Sequence, residues 1–89
     1  MPLYARTLLV TGPQEEVREA TAGHRVQLER LAAQARVRVA GEFADGSGFL
    51  EIFEAADRLE AEQLARDSPL IEGGLGTWML REWRETELD

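Results

Sequence analysis

The single histidine of the chain, His24, is the side chain best suited to proton transfer. An imidazole has an ordinary pKa near 6.5 and so changes charge close to neutral pH. His24 lies on a stripe with three- and four-residue spacing, seven residues after Val17 and seven before Leu31, which is typical of an apolar helix face. Two interpretations remain open at this point: a buried core histidine with a hydrogen-bond partner, or a general acid or base.

A carboxylate that could orient this imidazole occurs in the second helical segment. On a helical wheel, Asp67 falls between Leu59 and Leu64, which mark the expected inner face. Burying an unpaired carboxylate is unfavourable, so an inward Asp67 predicts a nearby cation or donor. Pairing with His24 would fix the ring tautomer and leave the other nitrogen to move a proton. The alternative is that Asp67 is solvated in a fraying last turn or caps the loop that follows.

The composition excludes several other chemistries. The chain has no Cys and no Lys, so it has no thiolate nucleophile, disulfide, Schiff-base amine or P-loop lysine. One histidine cannot form a His-rich zinc site by itself. We therefore expect neither a metal nor an organic cofactor. A Ser-His-Asp hydrolase is also disfavoured, because no second histidine is available to activate Ser47 or Ser68 if His24 is engaged elsewhere.

The charge balance bears on possible partners. Seventeen acidic residues outnumber ten basic ones, all arginine, for a net charge of -7. This opposes binding to nucleic acid, which requires a basic face. The predicted strands carry Arg6, Arg38 and Arg81, for which we expect cross-strand ion pairs with Glu51 or Glu82 rather than an anionic substrate. No apolar run approaches the roughly 18 residues of a membrane span, so we expect a soluble cytoplasmic protein that binds neither membrane nor nucleic acid.

The helices and strands that must position these groups are predicted from the hydrophobic periodicity and from the Pro, Gly and Ser residues that interrupt it. Pro13 suits a helix start, Asp45-Gly46-Ser47-Gly48 has the composition of a hairpin turn, and Ser68-Pro69 signals a helix end. We predict one domain over 1–89 with an acidic tail at 84–89. The predicted elements are a strand over 3–10, a helix over 13–36, strands over 36–43 and 49–54, a helix over 55–67 and a strand over 77–83.

This order, βαββαβ, predicts an α+β ferredoxin-like fold with an antiparallel four-stranded sheet. The right-handed crossover rule places both helices on one face of the sheet. We expect the other face to be apolar as well, through Phe49, Phe53, Met79 and Trp83. Because the chain has nothing left to cover that face, the sequence predicts a homodimer formed through the open sheet face.

Several segments resemble a known family, the YciI-like proteins with a YCII-related domain. The hairpin from Val39 to Gly48 resembles the glycine-bearing hairpin of that family. Similar motifs are the His24-x-x-x-Leu28-x-x-Leu31 stripe, the stretch from Asp67-Ser68-Pro69-Leu70 to Gly74-Leu75, and Trp83. The resemblance covers nearly the whole chain. It implies a ferredoxin-like dimeric α+β barrel.

The same resemblance implies an active site built from a His and an Asp, which correspond here to His24 and Asp67. The Asp-Pro pair of the family is split in this chain by Ser68. This makes Asp45, in the matched hairpin turn, a substitute partner for His24, and Ser68 an accessory residue.

The leading hypothesis from the sequence is a small cytoplasmic enzyme for acid-base chemistry on a small organic molecule, such as an isomerisation, an elimination or a lactone rearrangement. His24 would be the general base or acid and Asp67 its orienting partner, without a cofactor. A cofactor-free monooxygenase is a second enzymatic option. The alternative from another class is a noncatalytic dimeric module that binds a ligand or assists assembly. A cleft beside His24 favours the enzyme, and a sealed His24 favours the module.

Overall fold

The computed structural model describes residues 1–88 and confirms the ferredoxin-like α+β fold. In chain order the elements are β1 (Leu3–Val10), α1 (Gln14–Ala33), β2 (Val37–Glu42), β3 (Gly48–Glu54), α2 (Arg58–Arg66), α3 (Pro69–Glu72) and β4 (Gly76–Trp83). The sheet is antiparallel, and its strand order β2-β3-β1-β4 makes β1 and β3 the central strands. Within residues 1–88 the helices cover one face of the sheet only, as predicted.

Helix α1 begins where the sequence predicts and ends earlier. Pro13 precedes it in an extended conformation, and two glutamates lie in its first turn, where acidic side chains favour the helix dipole. At the other end Ala35 adopts a left-handed φ of 58°, and the N–H of Arg36 bonds the carbonyl of Leu31. This closure stops the helix before residue 36 and lets β2 start at Val37.

The second helical region is divided into two helices. Asp57 caps α2 by accepting a hydrogen bond from the N–H of Glu60, so α2 is shorter than the predicted segment 55–67. The one-turn helix α3 was not predicted, because the sequence indicated a loop there. Ser68 caps α3 through the N–H of Leu70, and Pro69 occupies its first position.

The side chains between the sheet and the helices form two apolar clusters. One cluster consists of Tyr4, Phe53, Ala55, Ala61, Ala65 and Leu80. The other consists of Leu8, Ala20, Phe49, Leu70 and Leu75. The prediction that Phe49 and Phe53 lie on the open face was therefore wrong, because β3 turns these two residues toward the helices.

The open face of the sheet nevertheless carries large apolar side chains, with Arg81 between Met79 and Trp83. Met79 and Leu9 lie there and are 55% and 49% exposed, and Ile52 and Trp83 share this face by strand alternation. Within residues 1–88, no helix is long and apolar enough to cross a membrane. Residues 84–88 of the predicted acidic tail follow β4 without regular structure, and Asp89 lies outside the described residues.

Candidate active site

His24 lies in the middle of α1 and points into the core, where its side chain is completely buried. Both ring nitrogens have partners. Nδ1 is 2.7 Å from the hydroxyl oxygen of Ser68, at the start of α3. Nε2 is 3.0 Å from a carboxylate oxygen of Glu51, on β3. The ring of Phe49 packs against the imidazole at a tilt of 45°, with the ring centroids 4.7 Å apart.

Glu51 is in turn paired with an arginine on the neighbouring strand. Arg6 and Glu51 are opposite each other in the register of β1 and β3, and Nε of Arg6 lies 2.7 Å from Oε1 of Glu51. The expected cross-strand ion pair between these residues is thus confirmed. Both side chains point toward the helices and have no exposed surface. Nη1 of Arg6 also donates to the Ala65 carbonyl and to the side chain of Gln27.

The hydrogen bonds define the tautomer of the histidine. The carboxylate of Glu51 is paired with Arg6 and can only accept, so Nε2 of His24 carries the ring proton and donates it to Glu51. Nδ1 is left as an acceptor for the O–H of Ser68. The oxygen of Ser68 also accepts the N–H of Leu70 at 3.3 Å. Arg6, Glu51, His24 and Ser68 therefore form one continuous hydrogen-bonded series, which we call the buried network.

The buried network is electrically balanced and well held. The charge of Arg6 is offset by that of Glu51. Gln27 holds the Arg6 end of the network, because its side-chain oxygen accepts from Arg6 and its NH₂ group donates to the Leu64 carbonyl at 2.6 Å. One donor is left over: within residues 1–88, Nη2 of Arg6 is buried without a hydrogen-bond partner. Such an arrangement holds the imidazole in a single orientation.

The two aspartates that the sequence proposed as partners lie elsewhere. Asp67 is exposed and forms the C-cap of α2. Asp45 is exposed in the hairpin turn, and hydrogen bonds from Ser47 hold the pKa of its carboxyl below the ordinary value. Because Ser68 and Glu51 occupy both ring nitrogens, the predicted pairing of His24 with Asp67, or with Asp45 as its substitute, is not formed. Their catalytic roles stay predictions.

The error over Asp67 has a local cause. The helical wheel took Leu59 as an inner residue, but Leu59 is 65% exposed, and the buried positions of α2 are Ala61 and Ala65. The helix also ends at Arg66, so the next residues leave the helical spacing. Ser68, which the sequence analysis treated as accessory, is the residue that turns inward to His24.

Sequence reasoning missed the roles of Glu51 and Gln27. A signal for Glu51 was present: it alternates with Phe49 and Phe53, so all three side chains must lie on the same face of β3. The prediction that this face packs against a dimer partner concealed the signal. Gln27 is three residues after His24 and gave no separate signal.

A cleft opens beside the buried network, between α1 and the edge strand β2. Phe49 connects the two, because one side of its ring packs on His24 while the residue also lines the cleft. The full lining is Arg25, Leu28, Ala40, Gly41, Glu42 and Phe49. Within residues 1–88, no group of three or more His, Asp or Glu side chains is arranged to hold a metal ion.

The fold and this site define a small ferredoxin-like protein with a histidine-centred buried network. No protein-family profile matches the chain. The uncharacterized protein YjpA of Bacillus subtilis (strain 168) is 29% identical over 82 residues, which cover 92% of this chain and 96% of YjpA.

Two solved enzymes share the fold. The 5-chloro-2-hydroxyhydroquinone dehydrochlorinase TftG of Burkholderia phenoliruptrix AC1100, in complex with 2,5-dihydroxybenzoquinone, superimposes with a TM-score of 0.77. It is 21% identical, over 94% of this chain and 95% of that chain. Muconolactone isomerase also gives a TM-score of 0.77, with 12% identity over 94% of this chain and 90% of that chain. At these identities the likeness establishes the fold.

Proposed function

We propose that the protein is a small enzyme that transfers protons on a small organic molecule, with Ser68 and His24 as the proton-transfer pair. The observation that carries this proposal is the buried network. A hydroxyl hydrogen-bonded to an imidazole, which is backed by an ion-paired carboxylate, is an arrangement suited to general acid-base catalysis.

The proton path follows from the tautomer. The Ser68 oxygen takes a proton from the substrate while its own proton passes to Nδ1 of His24. The imidazolium then lies against the carboxylate of Glu51, which stabilises it. Arg6 and Glu51 are positioning residues here. Return of the proton to another atom of the substrate completes an isomerisation. Loss of an anion from the substrate, followed by release of the proton from His24 through Ser68 to water, completes an elimination. Neither step requires a metal or an organic cofactor.

The substrate class we propose is a small oxygenated ring, either a hydroxylated quinoid ring or a lactone. The named substrates of two solved enzymes with this fold support this class. One enzyme is a dehydrochlorinase of a chlorinated hydroxyhydroquinone, and the other is a muconolactone isomerase. We also propose a relationship to the YciI-like proteins, supported by the motifs around His24, the hairpin and Ser68-Pro69.

Turnover assays test the proposal directly. Purified protein would be incubated with muconolactone and with 5-chloro-2-hydroxyhydroquinone, and ring absorbance would be followed. His24→Gln and Ser68→Ala should each lower the rate about 10²- to 10⁴-fold. Glu72→Gln is the matched control, because Glu72 is exposed on α3 and outside the network, and it should stay within about twofold. A wild-type protein without turnover of either compound contradicts the assignment of substrate class.

One observation favours a second candidate, a noncatalytic module. His24 has no exposed surface, which fits a polar core that specifies the fold. In that case His24→Gln lowers the free energy of unfolding, measured by urea titration, while ligand affinity in the folded protein is unchanged. A large loss of turnover in a variant that keeps wild-type stability excludes the module.

We further propose that the protein is a homodimer formed through the open sheet face. Support comes from Met79 and Leu9, two large apolar side chains about half exposed on a face that no helix covers. Met79→Glu should shift the sedimentation coefficient toward that of a monomer, because it places charge in an apolar contact. A wild-type protein that sediments as a monomer at micromolar concentration contradicts the dimer.

A further inference from the structure

We propose that the cleft between α1 and β2 binds the substrate as a planar ring with a negatively charged oxygen, which Arg25 holds while Phe49 supports the ring. This inference rests on the proposed function and adds its substrate charge and its two specificity-determining residues. The cleft is lined by Phe49, whose ring contacts His24.

The cleft follows the strand pair that carries the buried network. In the β2–β3 register, Ala40 lies opposite Glu51 and Glu42 lies opposite Phe49. The β2 wall is low, because Ala40, which faces the helices beside Glu51, carries only a methyl group, and Gly41 has no side chain. The other wall is α1. There is consequently room for a flat molecule alongside the ring of Phe49.

Phe49 separates this space from the imidazole. It is only 5% exposed, with its ring tilted against that of His24. The part of Phe49 that lines the cleft offers an apolar contact to an unsaturated ring. For a molecule in the cleft to reach the buried Ser68 hydroxyl, the Phe49 side chain has to move aside, so substrate binding and access to the proton-transfer pair are linked at one residue.

The charges of the two walls are opposite and do not pair with each other. Arg25 follows His24 directly on α1 and is exposed, and within residues 1–88 it makes no ion pair. Removal of a proton from the substrate leaves negative charge on its ring oxygens, and a guanidinium at the wall stabilises that charge. Glu42 on the opposite wall repels it. The anionic oxygen is therefore directed toward α1.

Calorimetric titration with 2,5-dihydroxybenzoquinone, a planar acidic ring, tests the inference. At low ionic strength Arg25→Gln should weaken binding about twofold to fivefold, and Glu42→Gln should tighten it by a similar factor, in line with charge pairs near a surface. Arg30→Gln is the matched control, since it removes the same charge from an exposed site on the same helix outside the cleft. Equal effects of the Arg25 and Arg30 substitutions overturn the inference.

A neutral probe, 2,5-dimethoxybenzoquinone, should bind equally to wild type and Arg25→Gln, because it carries no negative oxygen. Absence of binding of the hydroxylated probe to wild type up to millimolar concentration also overturns the inference. If only the proposed function is wrong, Arg25→Gln and Glu42→Gln change the binding affinity as expected, but no compound is turned over. If only this inference is wrong, the protein turns a compound over in a reaction that depends on His24, and Arg25→Gln has the same KM as wild type.

Discussion

Glu51→Gln is expected to be one of the most disruptive single-atom changes in the protein. The glutamine has one acceptor oxygen in place of two, whereas Glu51 serves Arg6 at 2.7 Å and His24 at 3.0 Å. If the amide oxygen faces Arg6, its NH₂ group faces the proton on Nε2 of His24. The ring must then move its proton to Nδ1 and donate to Ser68. The charge of Arg6 stays buried without a counter-charge.

The expected cost follows from that unpaired charge. Breaking a buried ion pair costs about 3 to 5 kcal/mol, and a domain of this length has a total stability of about 4 to 13 kcal/mol. Glu51→Gln should therefore remove about a quarter or more of the free energy of unfolding measured by urea titration. Glu54→Gln, the same change in the same strand at a half-buried position, should cost less than about 0.5 kcal/mol.

Two further measurements sharpen this test. ¹⁵N NMR of the single histidine should show the proton on Nε2 in wild type and on Nδ1 in Glu51→Gln. Arg6→Met combined with Glu51→Leu removes both charges and should be more stable than Glu51→Gln alone. A loss below about 1 kcal/mol in Glu51→Gln, or one no larger than in Glu54→Gln, would refute the reasoning.

The remaining predictions concern the acid range and the Phe49 ring. A hydrogen bond from the Ala56 N–H is the largest cause that lowers the pKa of Glu60, so its stabilisation is present above the unfolded pKa and is lost as pH falls through the folded one. Urea titrations should show a destabilisation by Glu60→Gln that is larger at about pH 7 than at about pH 2.5; an equal difference at both contradicts it. Phe49→Leu should speed diethylpyrocarbonate modification of His24 by exposing the imidazole to the cleft, while Phe53→Leu, in the other cluster, should not. Mass spectrometry would follow the modified fraction, and equal rates in both variants would contradict the gating role.

Much of the fold could be predicted because it depends on local signals. Periodicity and breakers located β1, the hairpin and β4 to within about one residue, and Pro13 marked the start of α1. The end of α1 was missed because the helix is stopped by an alanine in a left-handed conformation, which the sequence does not indicate. The one-turn helix α3 was missed because its cap depends on a single serine hydroxyl.

The candidate site was predictable only in part, because it is assembled from contacts distant in sequence. The stripe on α1 correctly identified His24 as inward. Its partner, however, depends on which residue after α2 turns toward it, and a one-residue difference separates the exposed Asp67 from the buried Ser68. The sequence predicted Glu51 as a partner of Arg6. Whether this pair is exposed to solvent or contacts His24 depends on which face of the sheet the Glu51 side chain lies on.

The position of β2 at the edge of the sheet gives the cleft two walls of unequal stability. β2 pairs with β3 alone, its pairing shifts register between Val37 and Val39, and most of its residues are exposed. Amides of such a strand open locally at lower free energy than those of the central strands. Hydrogen exchange should accordingly be fast along β2 and slow along β1. A ligand that bridges the cleft to α1 would slow exchange in β2 selectively, so occupancy could be read from the backbone of one strand before any reaction is known.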